Sequence, residues 1–246
     1  MNAEKLRGVL EFYQDLGFTS LYRRAASAAP VTETTSATVP TSAEPAMIEL
    51  PGLAPADDSL QKIREDIGDC QRCRLHQGRH TIVFGSGNEL AKLVFVGEGP
   101  GADEDMQGIP FVGRAGQLLT QMIEGTAKRE GIPLERKDVY ICNVVKCRPP
   151  ENRTPEPDEM EICGQFLFRQ LSVIRPRAIC ALGATAARAL LGRKEGVTRM
   201  RGNWHKWRDI PLMVTYHPSY LLRPYNQNAK REAWDDLKKV LHFVYD

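Results

Sequence analysis

Four short apolar runs stand out after Leu60: Leu93–Gly97, Val139–Cys142, Ala178–Leu182 and Leu212–Thr215. Each is too short for a helix and lacks polar alternation, the pattern of a strand buried on both faces. Each is followed by a longer stretch with helical apolar spacing: Ala115–Glu130, Pro155–Ile174, Ala184–Leu191 and Asn228–Phe243. Strand–helix alternation predicts an α/β fold, a parallel sheet with helices on both faces. The segment before Leu60 reads differently. Leu10, Tyr13, Leu16 and Leu21 fall near helical spacing, so a short helical segment is expected within residues 1–24. Residues 25–59 contain no Lys or Arg and are dominated by Ala, Pro, Ser and Thr. Such a composition buries no core and predicts a flexible linker, leaving 60–246 as the folded domain.

Charge refines this division. The formal net charge is +2, but there are four basic against eight acidic residues up to Ser59, and 29 against 23 after it. The folded part is therefore mildly basic, which permits a polyanionic partner without requiring one. No apolar run reaches the roughly 18 residues of a membrane span, and the N-terminus lacks a signal pattern. A cytoplasmic protein with no membrane association is expected.

The unusual residues fall at the ends of the predicted strands. Gly97-Glu98-Gly99-Pro100-Gly101 follows the first, Asn143 the second, Gly183 the third and His217-Pro218-Ser219 the fourth. Open parallel sheets bind ligands at their strand C-terminal ends. The glycine loop lets main-chain N–H groups approach a ligand, although its spacing is neither a phosphate-loop nor a dinucleotide fingerprint. Taken alone it is equally a plain strand-to-helix turn. Phe111, in a Pro/Gly-flanked loop, can stack on a flat ligand or serve as a satellite core residue. Asp103-Glu104-Asp105 reads as a solvated acidic run. His217 precedes a proline and is held off the helical region. Ser219, Leu222 and Arg223 after it suit a loop pressed on a nucleic-acid backbone, with Leu as wedge and the polar pair on phosphates.

Six cysteines are present. Cys142 and Cys180 lie inside apolar runs and read as buried, inert thiols. Cys70 and Cys73, with two residues between them, join Cys147 and Cys163 outside the strands. Thr154 and Pro155 offer a cap and first position for the helix that carries Cys163. By spacing alone, four thiols suit zinc or an iron–sulfur cluster equally. Four unrelated free thiols are the plainer alternative.

Three stretches, Gly97–Gly101, Asn143-Val144-Val145-Lys146-Cys147-Arg148-Pro149-Pro150 and His217-Pro218-Ser219-Tyr220-Leu221-Leu222-Arg223, together with the cysteine grouping, resemble the signatures of family-4 uracil-DNA glycosylases. The resemblance runs from about Leu60 to the C-terminus. It implies a three-layer α/β/α fold with a four-stranded parallel sheet. It also implies a four-iron four-sulfur (4Fe-4S) cluster on Cys70, Cys73, Cys147 and Cys163, structural rather than redox-catalytic. The implied activity is monofunctional hydrolysis of the N-glycosidic bond of uracil in single- or double-stranded DNA, leaving an abasic site for base excision repair. Phe111 would stack on uracil, Asn143 read its edge and His217 hydrogen-bond near O2, with backbone N–H groups near Gly99 assisting. Better-known uracil-DNA glycosylases carry Asp in the first motif, where this chain has Gly99. Glu98 is the candidate to orient the attacking water, and Asn143 the alternative. A related group traps the sugar covalently through a histidine-bearing insertion, and residues 147–155 here contain no histidine, so turnover is expected. A monomer is expected, and a partner for the N-terminal segment is not identified. The competing reading is a non-catalytic, cluster-bearing nucleic-acid-binding module with a degenerate pocket.

Overall fold

In the computed structural model the structure describes Arg7 and residues 57–246; the expectations for residues 1–24 and for the linker up to residue 56 lie outside the described residues. The chain divides into two units, Met1–Pro51 and Gly52–Asp246, and the second carries the fold. It opens with helix α1, Leu60–Ile67, which Ser59 caps by accepting from Lys62 N at 3.1 Å. Asp58 just before it accepts from Arg169 Nε at 2.7 Å and Nη2 at 3.0 Å, tying the entry to the helix that carries Cys163.

The four apolar runs form the parallel centre of the sheet. They are β2 (Leu93–Gly97), β3 (Tyr140–Asn143), β4 (Ala178–Leu182) and β6 (Ile210–Thr215), in spatial order β3-β2-β4-β6. All their pairings are parallel, with Gly97 opposite Asn143 and Leu182 opposite Thr215. The sheet is wider than the four strands expected. Two short strands, β1 (Ser86–Gly87) and β5 (Trp204–Trp207), add antiparallel edges to β3 and β6, giving six strands. Neither edge has the continuous apolar run of a doubly buried strand: β5 has only Trp207 fully buried, and β1 is a two-residue Ser-Gly pair.

Successive strand residues point to opposite faces, and the two faces build two cores. On one, Val94, Val96, Cys142, Ile179, Ala181 and Val214 meet α1, α4 (Pro157–Ile174) and α5 (Gly183–Leu191). On the other, Leu93, Phe95, Ile141, Cys180 and Met213 meet α3 (Arg114–Arg129) and α8 (Gln227–Tyr245). The result is three layers, α/β/α. Two further short helices, α6 (Val197–Met200) and α7 (Pro218–Leu221), precede β5 and follow β6. The acidic run is solvated only in part: it forms α2, Ala102–Gln107, with Asp103 exposed, Glu104 half-buried and Asp105 fully buried. Asp105 Oδ1 accepts from His80 N at 2.9 Å, and its Oδ2 meets His80 Nδ1 at 2.8 Å. Helix α4 starts two residues later than Thr154-Pro155 predicts. Its cap is Glu156, with Pro157 in the first turn and Glu159 Oε2 accepting from Glu156 N at 2.8 Å. Both Pro155 and Pro157 satisfy the sequence rule for a helix start, and the capping bond from Glu156 N to Glu159 goes with the second.

Candidate active site

At the C-terminal ends of the parallel strands lies a cavity of about 260 Å³. It is smaller than the ~300–1,000 Å³ of drug-sized sites. Of the residues singled out from sequence, Glu98, Gly99, Phe111, Asn143, His217 and Ser219 line it together. Leu222 and Arg223 do not. They follow α7, Leu222 half-buried and Arg223 exposed with its guanidinium 5.7 Å from the Tyr220 ring centre.

Asn143 is the last residue of β3 and is buried, yet its Oδ1 has no hydrogen-bond partner. An unpaired buried acceptor costs ~1–3 kcal/mol, and a donor placed in the cavity would satisfy it. Opposite it in register, Gly97 has no side chain for a steric reason. A Cβ there would stand 2.4 Å from Asn143 Oδ1 and 2.5 Å from the Phe111 ring, filling the slot between amide and ring. Behind Asn143, the buried Lys146 Nζ donates to the Asn143 carbonyl at 2.8 Å and to Gln170 Oε1 at 2.6 Å, which pins the strand end.

Phe111 is held in the left-handed region, φ 55°, which a non-glycine residue adopts only when its surroundings impose it. Two features impose it. Glu104 Oε1 accepts from Val112 N and Gly113 N, both at 2.9 Å, and its Oε2 accepts from Gly101 N at 3.0 Å. One carboxylate thus staples the glycine loop to the Phe111 loop. Gly116 on α3 then allows the close approach, since a Cβ there would lie 1.9 Å from the Phe111 carbonyl oxygen. The Phe111 ring centre is 5.6 Å from that of His217.

His217 caps α7. Its Nδ1 accepts from Ser219 N at 3.2 Å and lies 2.8 Å from Ser219 Oγ. A backbone N–H only donates, so Nδ1 is the unprotonated nitrogen and Nε2 carries the hydrogen of the neutral ring. Burial pushes the His217 pKa down to about 4, against the opposing pull of Glu104. The ring is therefore a neutral N–H donor at physiological pH. Glu98 is half-buried, and its Oε2 accepts from Thr185 Oγ1, which orients the carboxylate.

The cavity also takes in Glu104, Asn152 and Arg153, which the sequence reading did not single out. Arg153 forks onto the buried Glu159, Nη1 to Oε2 at 2.8 Å and Nη2 to Oε1 at 2.7 Å, and Arg74 Nε adds a bond at 2.9 Å. The Arg153 bonds hold the Glu159 carboxyl down at about 2. A signal for Glu104 was present: it stands three residues after Gly101, the spacing of a capping box. Nothing in the sequence marks Arg153.

Cys70 and Cys73 are half-buried beside the 3-10 turn Arg74–Gln77, and Cys147 and Cys163 are buried. The thiols feel one another. Burial pushes Cys147 up, with Arg79 opposing and Cys73 and Cys70 adding to the rise. Burial pushes Cys163 up to about 12, with Lys146 opposing and Cys147 and Cys73 adding. N–H donors already face two of the sulfurs, Arg79 Nη1 at 3.4 Å from Cys147 and Lys146 N at 3.2 Å from Cys163. Among the described residues, no three Cys, His, Asp or Glu side chains gather tightly enough for a single metal ion. Four thiols drawn from the segment after α1, the loop after β3 and helix α4 are the donor type that zinc and iron–sulfur groups both take.

A mostly parallel sheet between helices, with a recessed pocket at its strand C-terminal ends, defines the class of α/β proteins that bind ligands at that end of the sheet. Comparison with known proteins narrows the class. Residues 84–238 match the family model described as the uracil DNA glycosylase superfamily. The type-4 uracil-DNA glycosylase of Thermotoga maritima is 45% identical over 190 residues, 76% of this chain and 96% of that protein. Those of Sulfurisphaera tokodaii and Archaeoglobus fulgidus are each 42% identical over 191 residues, 74% of this chain and 84% and 92% of theirs. The chain belongs to the uracil DNA glycosylase superfamily, in its type-4 family.

Proposed function

We infer that this protein is a uracil-DNA glycosylase that hydrolyses the N-glycosidic bond of uracil in DNA and leaves an abasic site for repair. The observation that carries this reading is the unpartnered Asn143 Oδ1 in a slot floored by Phe111 and flanked by a neutral His217. A base inside a duplex is out of reach, so it is flipped out at a cost of a few kcal/mol. Uracil presents N3–H and O4, a donor beside an acceptor, and one amide complements both. Cytosine presents the reverse pair. Phe111 stacks on the ring, and the absence of a side chain at Gly97 leaves room for it.

Bond cleavage leaves negative charge on the departing uracil. His217 Nε2–H donates to the O2 side, where that charge develops, in a pocket that excludes most water. A neutral donor suits this step, since it stabilises an anion without having to give up its proton. Glu98, held by Thr185, orients the water that attacks the cationic sugar. Ser219 and Arg223 contact phosphates, and Leu222 fills the space the base leaves. Cys70, Cys73, Cys147 and Cys163 hold a 4Fe-4S cluster. The four sulfurs would hold it as thiolates, and doing so would tie the loop of Cys147 and Arg153 to the segment after α1 and to α4 beside the cavity. The protein acts as a monomer in the cytoplasm, where it meets its DNA substrate.

The test is uracil release from single- and double-stranded oligonucleotides by protein with a measured iron content. Release at single-turnover rates well above background is expected. Iron-loaded protein that binds the DNA but frees no uracil makes the chain a binding module.

A further inference from the structure

A second groove lies between α3 and α8 and shares no residue with the cavity at the strand ends. It measures about 390 Å³ and is lined by Thr126, Arg129, Lys230, Arg231, Trp234 and Lys238, with Glu130 and Asp235 as its acidic members. The Trp234 indole lies near α3 at Gly125, where an added Cβ would be 3.9 Å from its ring, and the Arg129 guanidinium stands 5.7 Å from the ring centre. Two polar groups here are buried without partners: Trp234 Nε1 and Thr126 Oγ1. Thr126 is 2% exposed. A helical threonine commonly returns its hydroxyl to the carbonyl four residues back, and this one does not. Three of the groove's cations, Arg129, Lys230 and Arg231, have no ion pair among the described residues. Glu130 is already engaged, by Lys238 at 2.8 Å and His242 at 2.9 Å.

An indole N–H, guanidinium groups and ammonium groups only donate. A ligand that satisfies them must be rich in acceptors and negative. We propose that the α3–α8 groove is an anion site that binds a phosphate-type oxyanion through Trp234 Nε1–H and the Thr126 hydroxyl, with Arg129, Lys230 and Arg231 supplying the charge. The oxyanion is either a backbone phosphate of DNA or a free phosphate. The site stands on its own chemistry and does not require glycosylase activity.

Indole N–H resonances of the full-length protein provide the test. There are three tryptophans, Trp204, Trp207 and Trp234, and W234F assigns the last. Inorganic phosphate is titrated against chloride at constant ionic strength. The Trp234 resonance should move saturably while the other two stay fixed. T126V, which keeps the side-chain shape, should weaken phosphate binding about tenfold, the loss expected for one hydrogen bond to a charged group. A Trp234 resonance that stays fixed in phosphate overturns the proposal, whatever the variants do. A second arm adds uracil-free duplex DNA. If the Trp234 resonance moves, and K230E with R231E lowers the slope of log affinity against log salt by about one, the natural ligand is a DNA phosphate. If DNA leaves it fixed, the site serves free phosphate.

Discussion

At His217 burial, rather than a charged partner, sets the protonation state. Its pKa falls to about 4 from the ordinary 6.5, so the neutral ring's contribution to stability is complete above about pH 6.5. That contribution is lost as pH falls through about 4. The same shift predicts the rate profile. Between pH 5 and 8 base release should show no inflection from this residue, and a decline should begin only toward pH 4. An acidic limb centred near 6.5 in single-turnover cleavage would show that the ring titrates as a free imidazole. Truncation tests the role itself. His217→Ala should leave DNA affinity intact and slow release by about a hundred- to a thousandfold, the typical worth of one donor aimed at developing negative charge.

At the scale of elements, the pocket depends on the register of β2 against β3. Gly97 faces Asn143 with no room for a methyl group. Gly97→Ala should push the amide and the Phe111 ring into the cavity. We expect release to fall by about a hundredfold or more, since misplacement by an ångström costs that much. The melting temperature should change little because both neighbours can move into open space. A variant that cleaves normally would show that the slot is wider in solution. Glu159 plays the corresponding part for the 150–156 loop, where it anchors Arg153, and it also holds Arg74 of the 3-10 turn beside the cysteines. Glu159→Gln should destabilise the fold by about 1–3 kcal/mol at neutral pH, as expected for weakened bonds to charged groups. Its carboxyl, held near 2 against an ordinary 4.5, stabilises the fold above about pH 4.5, and this is lost as pH falls toward 2. The stability gap between wild type and variant, read by denaturant titration, should therefore close over that interval.

For the whole molecule, the cysteine centre joins three distant parts of the chain: the segment after α1, the loop after β3 and helix α4. Protein purified without air should be brown and contain iron. Cys147→Ser should lose the colour and much of the stability, while Cys142→Ser and Cys180→Ser, changed inside the sheet, should keep the colour. Colourless protein with one equivalent of zinc would rule out the cluster. The Ala/Pro/Ser/Thr composition of residues 25–59, with every motif lying after it, also predicts that the leading segment is dispensable for cleavage. A chain beginning near Pro55 retains Asp58 for Arg169 and Ser59 for α1, and should cleave at the full single-turnover rate.

The central strands and the helices between them could be read along the chain, because strands buried on both faces must be continuously apolar and Gly and Pro punctuate their ends. Asn143 at the close of an apolar strand and His217 before a proline, both of which the fold brings to one cavity, were also singled out by the sequence. The edge strands escaped it, because pairing to a neighbour, rather than an apolar run, places Ser86–Gly87 and Trp204–Trp207 in the sheet. Glu104 and Asp105 read as surface because a carboxylate is ordinarily solvated. Only the folded chain brings the N–H groups of residues 80, 101, 112 and 113 close enough to hold them. Arg153 entered the cavity for the same reason, through a carboxylate on a neighbouring helix. The left-handed Phe111 depended on Gly116 five residues on, and the tautomer of His217 on Ser219 N–H. Hydrophobic pattern is a local property and can be read along the chain. Where a buried charge finds its partner, and what shape is left between side chains, depends on segments that meet only on folding.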